Sequence, residues 1–184
     1  MISRTCIQGL LLACALWCTQ TLAKDTAEDI LAFELTVQAD DKDIAPWVAQ
    51  HLQLQRYKSL SDLDDQEMDK LLRDADLQAR DLLATQGHFN PLLHWKLEAT
   101  PSASHQRHVT LNIEVGPTAK ITAVHIHWQG DIAKHPGAVS QKALVISDWA
   151  LPEGKAFSQS DWSQAKSKAL KQVQAERYPL AQIV

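Results

Sequence analysis

Between residues 31 and 117 the apolar residues change period from two to about 3.6 and back to two, and few folds accommodate that order. Phe33, Leu35 and Val37 alternate with Glu34, Thr36 and Gln38, the signature of a half-buried strand. Ile44, Trp47, Val48 and Leu52 then recur at helical spacing behind the Asp40 to Asp43 cluster. With Asp43 as N-cap, Pro46 falls in the first turn, where its missing N–H does no harm. This helix is expected to end near Leu54. The strongest stripe follows: Met68, Leu71, Leu72, Ala75, Ala79, Leu82 and Leu83. Asp62 or Asp64 can cap its start, Asp65 and Glu67 suit its first turn, and Gly87 suits a left-handed stop. Alternation returns with Leu93, Trp95 and Leu97, then with Val109, Leu111, Ile113 and Val115. Pro101 to Ser104 lies between them as a turn, so the pair reads as a hairpin.

The order is therefore strand, helix, helix, strand, strand. Each strand has one apolar face and each helix one apolar stripe. The arrangement that buries all of them is an α+β sandwich, two helices over one face of a three-stranded sheet.

After Gly116-Pro117 the pattern restarts. Thr122, Val124, Ile126 and Trp128 alternate with Ala123, His125 and His127. A weaker helix is expected over Val139 to Ile146 and a loop over Leu151 to Gly154. A stronger helix then starts with Ser158 as N-cap, Asp161 three residues on, and Phe157 and Trp162 as a hydrophobic staple. Leu180 to Val184 reads as the start of a strand. The expected organisation is a first βααββ unit over 31–117 and a second, similar unit over 118–184 that stops before its hairpin.

The first 23 residues contain Arg4, a short apolar stretch from Leu10 to Trp17, and Thr21-Leu22-Ala23. That is the order of a cleaved secretory signal, too short to span a bilayer. Residues 24–30 follow as a polar leader. Leu11-Leu12-Ala13-Cys14 offers the alternative of a lipoprotein box with Cys14 lipidated. Cys6, Cys14 and Cys18 all lie in this segment, so a processed chain from Lys24 has no thiol for a disulfide or a nucleophile. It keeps 17 basic residues against 22 acidic ones. That balance argues against nucleic-acid binding, which concentrates Lys and Arg against phosphates.

Catalysis is not expected. The carboxylates from Asp62 to Asp81 lie opposite the leucine stripe and read as a solvated face. There is no nucleophile-elbow pattern and no Gly-rich phosphate loop. His125 and His127 share one strand face, and His105 and His108 flank a turn, but a zinc site wants a third ligand that spacing does not reveal. Neither a metal nor a cofactor is therefore expected.

Short motifs point to a family. Ile126-His127-Trp128-Gln129-Gly130 looks like a first strand closed by glycine. Leu83-Ala84-Thr85-Gln86-Gly87-His88-Phe89 is similar to a helix-to-strand corner, and Val115-Gly116-Pro117 with Ile121 looks like a junction between repeats. With the βααββ order behind a signal peptide, the chain resembles the polypeptide-transport-associated (POTRA) domains of outer-membrane assembly factors. The stretch from Arg107 to Pro117 is most similar to the TamA type within the BamA/TamA superfamily. Arg177-Tyr178-Pro179 departs from the corner motif of that family.

The resemblance implies a periplasmic scaffold that helps assemble outer-membrane proteins and autotransporters. Its implied partners are a TamB-like subunit anchored in the inner membrane and unfolded clients. The membrane-embedded barrel of a full-length relative is not in this sequence. The resemblance also implies a sheet whose second strand, Leu92 to Ala99, lies at an edge. Leu92, His94, Trp95, Lys96 and Glu98 are then the candidate partner-binding residues, Trp95 being either an anchor or a side chain packed beneath the helices.

Overall fold

A computed structural model describes residues 31–60, 62–99 and 105–184. The expected signal, leader, Cys14 box and Pro101 to Ser104 turn lie outside the described residues.

The first unit contains β1 (Glu34–Ala39), α1 (Ile44–His51), a 3₁₀ turn (Gln53–Tyr57), α2 (Asp65–Thr85), β2 (Leu92–Glu98) and β3 (His108–Glu114). It is an α+β arrangement with a three-stranded mixed sheet in the order β1-β3-β2. β1 runs parallel to β3, from Glu34 opposite His108 to Ala39 opposite Ile113. β2 runs antiparallel to β3, from Leu92 opposite Glu114 to Glu98 opposite His108. The sheet ends are pinned as well. The Asp40 carboxylate accepts the Val115 N–H at 3.1 Å, and the Asp41 N–H at 3.0 Å.

Alternation decides which face is dry. Phe33, Leu35, Val109, Leu111 and Ile113 are buried in one cluster with Val48, Leu52 and Leu54. The α2 stripe closes the layer: Met68, Ala75, Ala79 and Leu83 are buried, with Leu71, Leu72 and Leu82 packed against them. α2 starts as expected at Asp64, whose side chain accepts the Glu67 N–H at 2.8 Å. α1 follows Asp43 directly, although that residue makes no side-chain cap bond. The opposite sheet face carries Glu34, Thr36, Gln38, His108, Thr110, Asn112, His94 and Lys96.

The remaining helices are α3 (Asp131–Lys134), α4 (Val139–Ser147), preceded by a 3₁₀ turn at Pro136–Ala138, and α5 (Gln159–Gln174). They surround Ile132, Ala138, Val145, Ala169 and Val173. The Ser158 side chain accepts the Asp161 N–H at 3.0 Å, the expected start of α5. Two strand expectations fail. Residues 122–128 and 180–184 are extended or irregular and join no ladder. Alternation marks a segment able to pair. A strand exists only when a neighbour supplies the matching N–H and C=O groups, and among the described residues no ladder joins these two segments to any strand.

Gly87 fixes how the chain leaves α2. Its φ is +90°, and its carbonyl accepts the Ala119 N–H at 2.9 Å. A Cβ there would sit 2.4 Å from the Phe157 carbonyl oxygen. The 154–157 segment is bonded into the same corner: Phe157 donates its N–H to Ala119 at 2.8 Å, and Ile121 donates its own to Lys155 at 2.9 Å. The Phe89 and Phe157 rings meet at 5.7 Å. Gly87→Ala is expected to lower stability by about 1–3 kcal/mol, from left-handed strain and the clash together, read as a lower urea midpoint with unchanged slope.

Candidate functional site

β2 is an edge strand, and its only ladder partner among the described residues is β3. Alternate backbone groups of such a strand point away from the sheet, where another extended chain can take them up. The other edge, β1, is less open at its start. The Ala32 N–H there already donates to the Lys58 carbonyl at 2.7 Å.

The five candidate residues divide between the two faces. Leu93, Trp95 and Leu97 stand opposite Ile113, Leu111 and Val109, on the face that the helices cover. Leu92, His94, Lys96 and Glu98 stand on the open face. Leu92 is 56% exposed there, a large apolar side chain at the mouth of the strand. Lys96 Nζ and the Glu98 carboxylate are paired at 3.0 Å. His94 Nε2 is 4.0 Å from a Glu114 oxygen on β3.

Trp95 takes the packing role. It is half-buried against the core cluster, and its indole N–H donates to the Asp76 carboxylate of α2 at 3.0 Å. The same carboxylate receives Arg80 Nε at 2.8 Å, and Arg80 Nη1 donates to the Pro91 carbonyl at 3.1 Å, one residue before β2. This chain of bonds clamps β2 to α2 from both its start and its middle. The edge is thus presented rigidly, without a loop that has to order on binding.

Sequence spacing missed one grouping. The parallel register sets Glu34 beside His108, and an isolated bridge pairs Leu31 with His105. One Glu34 carboxylate oxygen lies 3.5 Å from His105 Nδ1 and 3.7 Å from His108 Nδ1. Glu34 is too distant in sequence from the histidines for any motif to connect them. Knowing the strand order and register would have exposed the cluster. His125 and His127, the other pair considered, are both exposed and bring no third such group with them among the described residues.

A cleft of about 910 Å³ lies in the second half of the chain. Ile126, Trp128, Trp162 and Leu170 line it, with Trp149 and Tyr178. The Trp149 and Trp162 rings meet edge-on at 5.7 Å, and the buried Tyr178 hydroxyl has no hydrogen-bond partner among the described residues.

No family model and no curated protein matches this chain. Among the described residues, no helix is long and apolar enough to cross a membrane.

Trp95→Phe keeps the ring volume near the core and deletes the bond to Asp76, which retains Arg80 as a partner. It is expected to cost about 0.5–1.5 kcal/mol, measured by urea unfolding.

Proposed function

We propose that the chain is a non-catalytic, protein-binding scaffold of POTRA type, working in the periplasm within an outer-membrane assembly module. The observation that carries this reading is the edge position of β2 in a helix-backed mixed sheet. One face of that sheet is dry and rigid, while its rim displays backbone groups along seven residues from Leu92 to Glu98. Strand addition at such a rim obtains affinity from main-chain hydrogen bonds and selectivity from alternate side chains. Here those side chains are Leu92, His94, Lys96 and Glu98, one apolar group followed by polar and charged ones. A partner strand with an apolar residue near Leu92 and charges of both signs further along would complement them. The proposed occupants are a TamB-like inner-membrane-anchored subunit and extended outer-membrane or autotransporter clients.

A second reading is a small periplasmic lipoprotein or ligand-binding protein, favoured by the tryptophan-lined cleft, whose size suits a small apolar molecule. The two readings use different segments of the chain, so one experiment separates them. A photoreactive amino acid is placed at His94 or Lys96 on β2, at Arg73 on the exposed side of α2, and at Trp128 in the cleft. The scaffold reading expects protein adducts with the inner-membrane-anchored subunit from His94 and Lys96 and none above background from Arg73. Equal adducts from Arg73, or small-molecule adducts from Trp128 alone, would contradict it.

A further inference from the structure

We propose that Glu34, His105 and His108 form a binding site for a divalent transition-metal ion, with Zn2+ as its fitting occupant. The three groups come together because β1 and β3 are parallel neighbours in one particular register. A shift of one residue would send Glu34 to the opposite face of the sheet.

The backbone that carries the three side chains is mutually bonded. The Glu34 N–H donates to the Arg107 carbonyl at 2.9 Å, and the Gln106 N–H donates to the Leu31 carbonyl at 3.0 Å. Arg107, between the two histidines, is itself held. Its guanidinium donates to the Leu63 carbonyl at 3.0 Å and to the Asp65 carboxylate at 2.8 Å. The segment from His105 to His108 is therefore fixed against both β1 and the start of α2. A ligand set supported in this way loses little conformational freedom when an ion enters.

The distances suit a small, four-coordinate ion. Bonds of 2.0–2.1 Å in tetrahedral geometry put neighbouring ligand atoms about 3.3–3.4 Å apart. The two carboxylate-to-imidazole distances are 3.5 and 3.7 Å, and all three ligand atoms lie within 4.8 Å of one another. A modest rotation of the two rings toward each other completes the third edge. Both histidines place Nδ1 nearest the same carboxylate oxygen, so the three ligand atoms are close neighbours.

Donor chemistry selects the ion. Two imidazoles and one carboxylate suit zinc and its neighbours in the first transition row. Calcium and magnesium favour all-oxygen shells. Three protein ligands leave a fourth position for water. Glu98, the register partner of His108 on β2, is engaged by Lys96 and is not assigned to the ion. The Glu34 side chain is about half exposed at 52%, so the ion can enter from the open sheet face. Once bound, it would clip β1 to β3 at the end of their parallel ladder.

The test is titration of the purified chain with ZnCl2 in a calorimeter, with MgCl2 as the comparison. The proposal expects one Zn2+ per chain and no saturable heat from Mg2+. Glu34→Gln, which preserves size, and His108→Ala should each weaken Zn2+ binding by about tenfold or more. His125→Ala/His127→Ala should leave it unchanged. Co2+ should give the visible absorption of a tetrahedral site in the parent chain and lose it in Glu34→Gln. Zn2+ should also raise the melting temperature of the parent chain and not that of His108→Ala. The proposal is overturned if Glu34→Gln and His108→Ala, shown to be folded by circular dichroism, bind Zn2+ as the parent does. It is also overturned if binding is lost in the His125/His127 variant instead, or if the parent binds no Zn2+.

Discussion

The parallel pairing of β1 with β3 is the constraint on which the first half of the molecule depends. Strands of a hairpin find each other through a short loop. β1 and β3 must meet across both helices, at a larger loop-closure cost. Once they meet, β3 occupies the centre of the sheet with Val109, Leu111 and Ile113 fully covered. β2 has nowhere to go but the outside. The edge strand, the dry face under α1 and α2, and the Glu34–His105–His108 grouping all follow from that one adjacency.

The same adjacency gives the two sheet faces different work. On the helix side, Trp95 is bonded to Asp76 and packed against the core, which holds the strand in place. On the open side the residues are polar apart from Leu92. The proposed strand addition uses the rim, and the proposed metal site uses the far corner, where β1 and β3 begin. Neither requires the helices to move.

Much of the first unit was legible in the sequence because each element carries its own period. Phe33-Leu35-Val37 could only be a half-buried strand, and the stripe from Met68 to Leu83 could only be a helix with one dry face. Asp64, Ser158 and Gly87 announced helix ends through local chemistry that needs no distant partner. What a local pattern cannot carry is adjacency. The register of Glu34 against His108 appears in no window of sequence, and the metal grouping was invisible for that reason. Thr122 to Trp128 show the converse. Their alternation is as regular as that of β1, yet they form no ladder, because pairing depends on a second segment as much as on the first. Trp95 was legible only as a choice between packing and anchoring. The Asp76 carboxylate that accepts its indole N–H belongs to α2, and no strand pattern shows that partner.

The central claim is that β3 is the middle strand and β2 a free edge. Native-state amide hydrogen exchange of the whole chain tests it most directly. The account predicts slow exchange at every amide from Val109 to Ile113, with alternating protection along Leu92 to Glu98. Every second amide of that strand should exchange nearly as fast as solvent-exposed backbone. Uniform protection along β2 would mean that another segment already covers the rim, and rapid exchange at alternate amides of β3 would mean that β1 does not pair with it.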